Sequence, residues 1–513
     1  MSAKEPIDAS VSPTEEKAEV HSMKAAATAP RDGDAALAFL RSNLAESDSQ
    51  AVDEKALLRK IDWMIMPLMF GCYFLQYLDK TLINYAAVMG LREDTNITTS
   101  QFSTLAMLFY VSYLACELPH GWLMQRFPTA KYLGTMVILW GAMVSVTAAC
   151  SNYAGLIATR LLLGAFEAAV APSLILITTM WYKRQGEQPV RTAIWYLGTG
   201  TGIMVGAVIS FGFQHYPDTN GRFRSWQVMF LVIGIVTIAV GILVVLFLPD
   251  NPMSCTRLSH AEKIVAIERL RANQTGIENK HFKPTQALEC LRDPQTWLIS
   301  ITTIASNVPN GAVSSYQATL IRGFGFSSKT TALLSIPSGA VGCIAVLSAS
   351  VLAGKYDQRG LNIVGLMLPS ILGACLMSFL PEANRVGKLV GVYMINCTLA
   401  VLTLLYSWVA ANYAGHTKKV TMNAVLLMSF CLGNIIGPLT FQDADAPGFL
   451  PAKVAIIATC ALTVGLALCL RYYYVRVNQK REALMVEGAV ETKEDSWLLD
   501  LTDRENKEFR YRL

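Results

Sequence analysis

The sequence predicts an all-α polytopic membrane protein: twelve transmembrane helices in two six-helix bundles, with both termini in the cytosol. Three observations predict it. Hydrophobic residues make up 53% of the 513 and charged residues only 16%, with a mean hydropathy of +0.37, too apolar for a soluble multidomain chain. Apolar segments long enough to cross a bilayer recur as six, then a polar interval, then six more. The connections on one side, central loop included, hold about twice as many Lys and Arg as those on the other, which assigns that side to the cytosol. The net charge of +5 is spread over these loops and gives no reason to expect a nucleic-acid partner.

Residues 1–52 are rich in Ala, Ser, Glu, Asp and Lys without a sustained period and read as a disordered cytosolic tail. The first long apolar run follows it, too late for a secretory signal peptide, so the first span is expected to serve as the insertion signal. The first bundle, residues 53–250, carries spans at 62–86, 101–124, 132–150, 154–181, 191–213 and 226–248. Asn96-Ile97-Thr98 in its first outer loop is a candidate glycosylation sequon at Asn96. The central loop, 251–294, holds Ser259-His260-Ala261-Glu262, a capping-box pattern that opens a helix through Arg271. The second bundle, 295–475, carries spans at 295–319, 330–353, 361–381, 388–411, 420–442 and 451–474, and a charged cytosolic tail occupies 476–513. Gly202-xxx-Gly206 in the fifth span and Gly433-xxx-Gly437 in the eleventh stand at the same interval that carries Asp79 onto Asn310. That is the echo expected of two repeated halves that rock around a central site.

The chemistry concentrates in the first bundle. Asp79 and Lys80 lie about 27 Å along a helix from Ile61, too deep to be a flank. An ionisable group there costs roughly 2.5 to 3.5 kcal/mol unless it faces protein or a wet cavity. Neighbours on a helix point about 100° apart, so each of the two needs a partner elsewhere. In the fourth span, Arg160 and Glu167 stand seven residues apart with Gly164 between them, on nearly one face. Two acids and two bases then converge. We assign Asp79 and Glu167 as proton-carrying groups, Arg160 as the partner that modulates them, and Lys80 as the point charge that draws an anionic substrate. Two blander readings stand beside this one: a buried ion-pair network that only fixes packing, and Lys80 snorkelling to the outer interface.

Glu117 in the second span reads either as a proton carrier or, from its nearness to the inner loop, as a gating group together with Gln125 and Arg126; His120 beside it reads as interfacial. The spans of the second bundle hold no acid or base of comparable depth. They offer Asn310 and Asn423, among other amides, as groups that read a substrate by hydrogen bonds or glue helices together. The cysteines sit mostly in apolar spans without metal-ligand spacing. No nucleophile–base pair or phosphate loop of known spacing occurs, so neither catalysis nor a cofactor is expected.

At several of these residues the chain resembles a known family. The motifs are Phe74-Leu-Gln-Tyr-Leu-Asp-Lys-Thr-Leu-Ile-Asn-Tyr-Ala86, Glu117-Leu-Pro-His-Gly-Trp-Leu-Met-Gln-Arg-Phe-Pro128, Arg160-xxx-Gly-xx-Glu167, Ala414-Gly-His-Thr-Lys-Lys419, Gly433-Asn-Ile-Ile-Gly-Pro438 and Asp500-Leu-Thr-Asp-Arg-Glu-Asn506. They resemble the major facilitator superfamily and, within it, the fungal allantoate permease family of anion:cation symporters, over nearly the whole chain from Asp53 onward. The resemblance implies that Asp79 and Glu167 handle protons, that Arg160 partners them, and that Tyr77 and Lys80 touch a substrate carboxylate. Lys80 stands where related symporters have Arg, which trades a bidentate clamp for a point charge. Gln125 replaces the Asp of the superfamily's loop signature, and Ala207 after Gly206 departs from the Gly-Pro pair of its antiporters, which favours symport. The expectation is a monomeric, proton-coupled importer of a small organic anion, such as a ureido acid, a vitamin or an amino-acid-like acid. It would work by alternating access in the lipid bilayer of a fungal plasma membrane. An exporter of an acidic metabolite and a non-transporting nutrient receptor are the alternatives.

Overall fold

The computed structural model describes residues 52–124, 126–183, 187–216, 223–271, 283–356, 358–446, 448–486 and 502–513. The expected N-terminal tail, 1–52, lies outside them except for Val52, and so does Gln125. The first half comprises α1 (Glu54–Val88), α2 (Leu91–Asp94), α3 (Thr99–Leu123), α4 (Thr129–Thr147), α5 (Tyr153–Glu167), α6 (Val170–Trp181), α7 (Gln188–Tyr196), α8 (Gly198–Phe213) and α9 (Ser225–Phe247). Two helices follow in the central loop, α10 (His260–Arg271) and α11 (Pro284–Arg292). The second half comprises α12 (Pro294–Gly323), α13 (Ser328–Leu334), α14 (Ile336–Tyr356), α15 (Arg359–Phe379), α16 (Arg385–Ile395), a 3-10 turn over Asn396–Ala400, α17 (Val401–Asn412), α18 (His416–Leu439) and α19 (Leu450–Val486).

Eleven of the described helical segments are long and apolar enough to cross a membrane. The twelfth, α12, has 30 residues, ample length, but carries Asn307, Asn310 and Gln317 among many Ser and Thr. A helix that polar sits in a bilayer only when surrounded by protein. Almost all of its residues from Asn307 to Ile321 are buried.

The fourth span is broken. α5 ends at Glu167 and α6 begins at Val170. Pro172 explains the break, because it has no N–H for the Ala168 carbonyl and its ring crowds that carbonyl. Glu167 is therefore delivered at a helix end in the middle of the span.

The two glycine pairs do the same job in the two halves. A Cβ on Gly202 would meet the backbone of Phe74 and Leu78, and one on Gly206 the Tyr85 ring, so α8 lies tight on α1. A Cβ on Gly433 would fall 2.5 Å from the Ile304 carbonyl oxygen and one on Gly437 2.5 Å from that of Val308, so α18 lies tighter still on α12. Small residues permit such backbone approach.

On the side that loop charge assigns as outer, the halves are bolted together. Asp443 accepts the backbone N–H groups of Thr99 (2.7 Å) and Ser100 (3.1 Å) at the start of α3. Ser103 joins the Tyr316 hydroxyl at 2.6 Å and donates to the Phe441 carbonyl. Asn84 accepts the Ala318 N–H, and the Tyr316 ring stacks on Phe441 at 4.1 Å. The inner side is organised differently, with ion pairs that tie each half to its own flanking segment. Lys60 meets Glu262, and Arg269 meets Glu54 and Glu187. In the second half Lys418 meets Glu289, Asp293 and Asp503.

The C-terminal region is more built than its charge predicts. Helix α19 runs on to Val486, and residues 502–513 form a strap across the inner ends of the second-half helices. Thr502 and Asp503 are fully buried. The Tyr511 hydroxyl donates to Asp503 at 2.6 Å while its ring stacks on Tyr474. Trp408 and Asn412 both donate to the Arg512 carbonyl, and Arg359 donates its backbone N–H to that of Leu513.

Candidate functional site

Asp79, Lys80, Arg160 and Glu167 share one neighbourhood. α1 brings Asp79 and Lys80, and α5 brings Arg160 and Glu167. The one base and one acid of α5 stand on either side of Gly164, which lies flush on α3: a Cβ there would collide with both the Phe109 carbonyl oxygen and the Ser112 hydroxyl oxygen. Lys80 Nζ lies 3.6 Å from Glu167 Oε1. Asp79 accepts a hydrogen bond from the Trp140 indole at 3.1 Å. Arg160 lies within Coulombic range of both Asp79 and Glu167.

The cluster is buried and under-satisfied. Asp79 is 1% exposed, Arg160 3% and Glu167 0%. Asp79 Oδ1, Arg160 Nε and Nη2, and both Glu167 oxygens are buried without a hydrogen-bond partner. Gln76, also buried, adds an unpartnered Oε1. A buried polar atom without a partner costs on the order of 1 to 3 kcal/mol, more when charged.

Lys80 is the one member of the cluster that also lines the central cavity. That cavity lies between the halves, bounded by Tyr73, Tyr77, Lys80, Tyr110, Asn310 and Phe430 among others. Four rings surround the ammonium group, those of Phe109, Tyr110, Tyr113 and Phe430, each 5.7 to 5.9 Å from Nζ. Cation–π attraction can hold a desolvated ammonium there without neutralising it. Lys80 therefore points inward, and the snorkelling alternative does not describe it.

Tyr77 and Asn310 meet across the two halves, with the Tyr77 hydroxyl 3.5 Å from Asn310 Oδ1. Asn310 also donates to Asn434 at 3.1 Å. Asn423 is not brought to this cavity. It is exposed and sits on the same side of α18 as Asn434, but about three turns, ~16 Å, nearer the inner end.

Glu117 is half-buried with Oε2 unpartnered. Arg126 is exposed and lies 4.1 Å over the Trp122 ring. His120 departs from its expected interfacial place: it is buried, with Nε2 2.7 Å from the Ala165 carbonyl oxygen and Nδ1 against the Tyr132 hydroxyl. Asn96 is exposed in the outer loop with φ 51, a backbone region that Asn tolerates. Sequence reasoning missed Trp140, Gln76 and the aromatic cage. The signal for the cage was the run Phe109-Tyr110-Val111-Ser112-Tyr113, whose rings at i and i+4 share a helix face.

Comparison with known proteins places the chain. Residues 69–438 match the profile of the Major Facilitator Superfamily. The chain is 37% identical over 498 residues to the thiamine pathway transporter THI73 of Saccharomyces cerevisiae, covering 94% of each. It is 33% identical over 474 residues to the allantoate permease of the same yeast, covering 90% of this chain and 87% of the permease. Among solved structures, a bacterial homolog of the human lysosomal transporter Spinster superposes with a TM-score of 0.59 at 15% identity, covering 80% of this chain and 97% of that one. That likeness is one of fold. With relatives of this identity and coverage, the chain belongs to the Major Facilitator Superfamily and, within it, to the allantoate permease-like secondary transporters, as a multi-pass membrane protein.

Proposed function

We propose that the protein imports a small organic anion together with protons, at the plasma membrane, by alternating access between its two halves. One observation carries the reading: Lys80 lines the central cavity and at the same time is the cation nearest Glu167. An anion entering the cavity competes with Glu167 for that ammonium group. When Lys80 turns to the substrate, Glu167 is left fully buried beside Asp79 with less counter-charge, and protonation relieves the excess negative charge. Substrate and proton then load together. Tyr77, Asn310 and the neighbouring amides supply hydrogen bonds to the polar part of the substrate, and the rings of Tyr73, Tyr77, Tyr110 and Phe430 cover its apolar part. If protons outnumber the substrate's negative charges, the membrane potential adds to the driving force. Opening of the bolted outer side admits the substrate.

The test is uptake of labelled allantoate, nicotinate and pantothenate by cells that carry or lack the protein, at pH 5 and pH 7. At least one carboxylate accumulates faster at pH 5 in a protein-dependent way. Protein-dependent uptake that ignores external pH would remove the coupling.

A further inference from the structure

Among the described residues no hydrogen bond leads from Glu167 toward the inner side. Glu167 has no exposed surface, and neither of its oxygens has a hydrogen-bond partner. Proton coupling needs a route from it to the inner water, and one second-span residue is placed to complete that route. Tyr113 is buried and stands between two carboxylates: Glu167 on α5, whose Oε1 lies 3.6 Å from the same Lys80 ammonium group that the Tyr113 ring flanks, and Glu117 on its own helix. Its ring is one of the four around Lys80, 5.7 Å from Nζ. Glu117 follows Tyr113 by four residues, one turn further inward on the same face of α3, and α3 ends at Leu123 within two turns more. Glu117 is half-buried, and its Oε2 is buried and unpartnered.

The groups that face Glu117 are Tyr113 on α3, Tyr406 on α17 and Cys431 on α18. None is a cation. His120, three residues further along, is turned the other way against Tyr132 and the Ala165 carbonyl. A carboxylate held by no opposite charge among the described residues, at the junction of both halves and near the inner end, is a poor structural device and a good acceptor.

We infer that Glu117 is the inner proton acceptor of the transport cycle and that the Tyr113 hydroxyl bridges it to Glu167. This rests on the proton-coupled reading above. The step balances without any co-reactant. The Glu167 carboxyl O–H breaks as its proton passes to the Tyr113 oxygen, and the Tyr113 O–H breaks as its proton passes to a Glu117 oxygen. Tyr113 ends as it began, Glu167 is again a carboxylate that re-pairs with Lys80, and Glu117 gives its proton to water on the inner side.

The experiment uses the full chain in proteoliposomes that enclose a pH dye, with the labelled carboxylate that wild-type protein accumulates, taken from allantoate, nicotinate and pantothenate. Counterflow exchange and accumulation driven by an imposed pH gradient are read side by side. Glu117→Gln lowers gradient-driven accumulation and the accompanying proton influx by about tenfold or more while counterflow stays within about threefold of wild type, and Glu117→Asp recovers most of the loss. Tyr113→Phe moves the same two readouts in the same direction, and bears the test alone if Glu117→Gln does not reach the membrane. A wild-type protein that couples, beside a Glu117→Gln variant that accumulates equally well, overturns this inference and leaves the proposed function standing. Counterflow that falls as far as accumulation in both Glu117→Gln and Glu117→Asp overturns it too, since that marks a structural role. A wild-type protein blind to the gradient overturns the proposed function itself.

Discussion

Each half of the molecule buries a cluster of charges, and the two clusters are built on opposite principles. In the second half, Lys418 is fully buried and reaches Glu289, Asp293 and Asp503 at 2.8 to 2.9 Å. Gln295 donates to both Asp293 and Asp503, and Arg504 adds a second cation on Asp293. Apart from Asp503 Oδ1, which is taken up in the ion pair with Lys418, no carboxylate oxygen of that cluster is left without a hydrogen bond among the described residues. In the first half, the Lys80–Glu167 contact is long at 3.6 Å, and Asp79, Arg160 and Glu167 all keep unpartnered atoms. A cluster with every partner filled holds one geometry. A cluster with partners missing can pass a charge from one group to another, which is what coupling requires.

The comparison breaks most readily on neutral substitutions. Lys418→Met should cost about 3 to 5 kcal/mol, because it strands buried carboxylates, and should appear as a large fall in the thermal midpoint of the purified protein. Glu167→Gln, equally buried, should shift stability by less than about 1 kcal/mol, since no close pair is broken. Comparable destabilisation by the two would dissolve the distinction. Next in size is Gly164→Ala. Its methyl group collides with the Phe109 carbonyl and the Ser112 hydroxyl, and such overpacking costs about 1 to 3 kcal/mol. Because α3 and α5 are forced apart exactly where Arg160 and Glu167 are presented, transport should fall further than stability does.

A smaller effect belongs to the outer bolt. Hydrogen bonds from Thr99, joined by those from Ser100, hold the Asp443 carboxyl below the usual carboxylate range. A depressed folded-state value means that the stabilisation is fully present above the ordinary Asp value of about 3.9 and is lost only as pH falls through the lowered one. Between pH 5 and 7 the bolt is therefore constant. Asp443→Asn should loosen it, raising labelling from outside of a cysteine placed at Ser103, yet any difference in uptake between pH 5 and 7 should survive. Loss of that difference would move the pH sensor from the first-half cluster to the outer surface. Smallest is Glu262→Ala at the exposed Lys60–Glu262 pair. It should change stability by less than about 1 kcal/mol and leave transport as it is, as measured by thermal melts and initial uptake rates.

Eleven of the spans were legible in the sequence because each is long and apolar, and the glycine pairs because they recur at one interval. The convergence of Asp79 and Lys80 with Arg160 and Glu167 was legible as a need, since charges at that depth require partners and the fourth span held an acid and a base on one face; that Lys80 pairs with Glu167 in particular was not. Trp140 as the donor to Asp79 was not legible, since one Trp in an apolar span looks like any other. Nor was the strap over 502–513, whose pairing with Lys418 and Trp408 joins residues far apart in the chain. Asn423 shows the limit of residue type alone, because the amide lies on a suitable face but at another depth.

The central claim is that Glu167 exchanges Lys80 for a proton when an anion enters the cavity. The most direct measurement is proton influx into proteoliposomes on adding the transported carboxylate, compared between wild type and Glu167→Gln. The account predicts an inward proton movement with wild type and none with the variant, while the variant still exchanges labelled for unlabelled substrate. A Glu167→Gln protein that acidifies the vesicle interior as wild type does would contradict it.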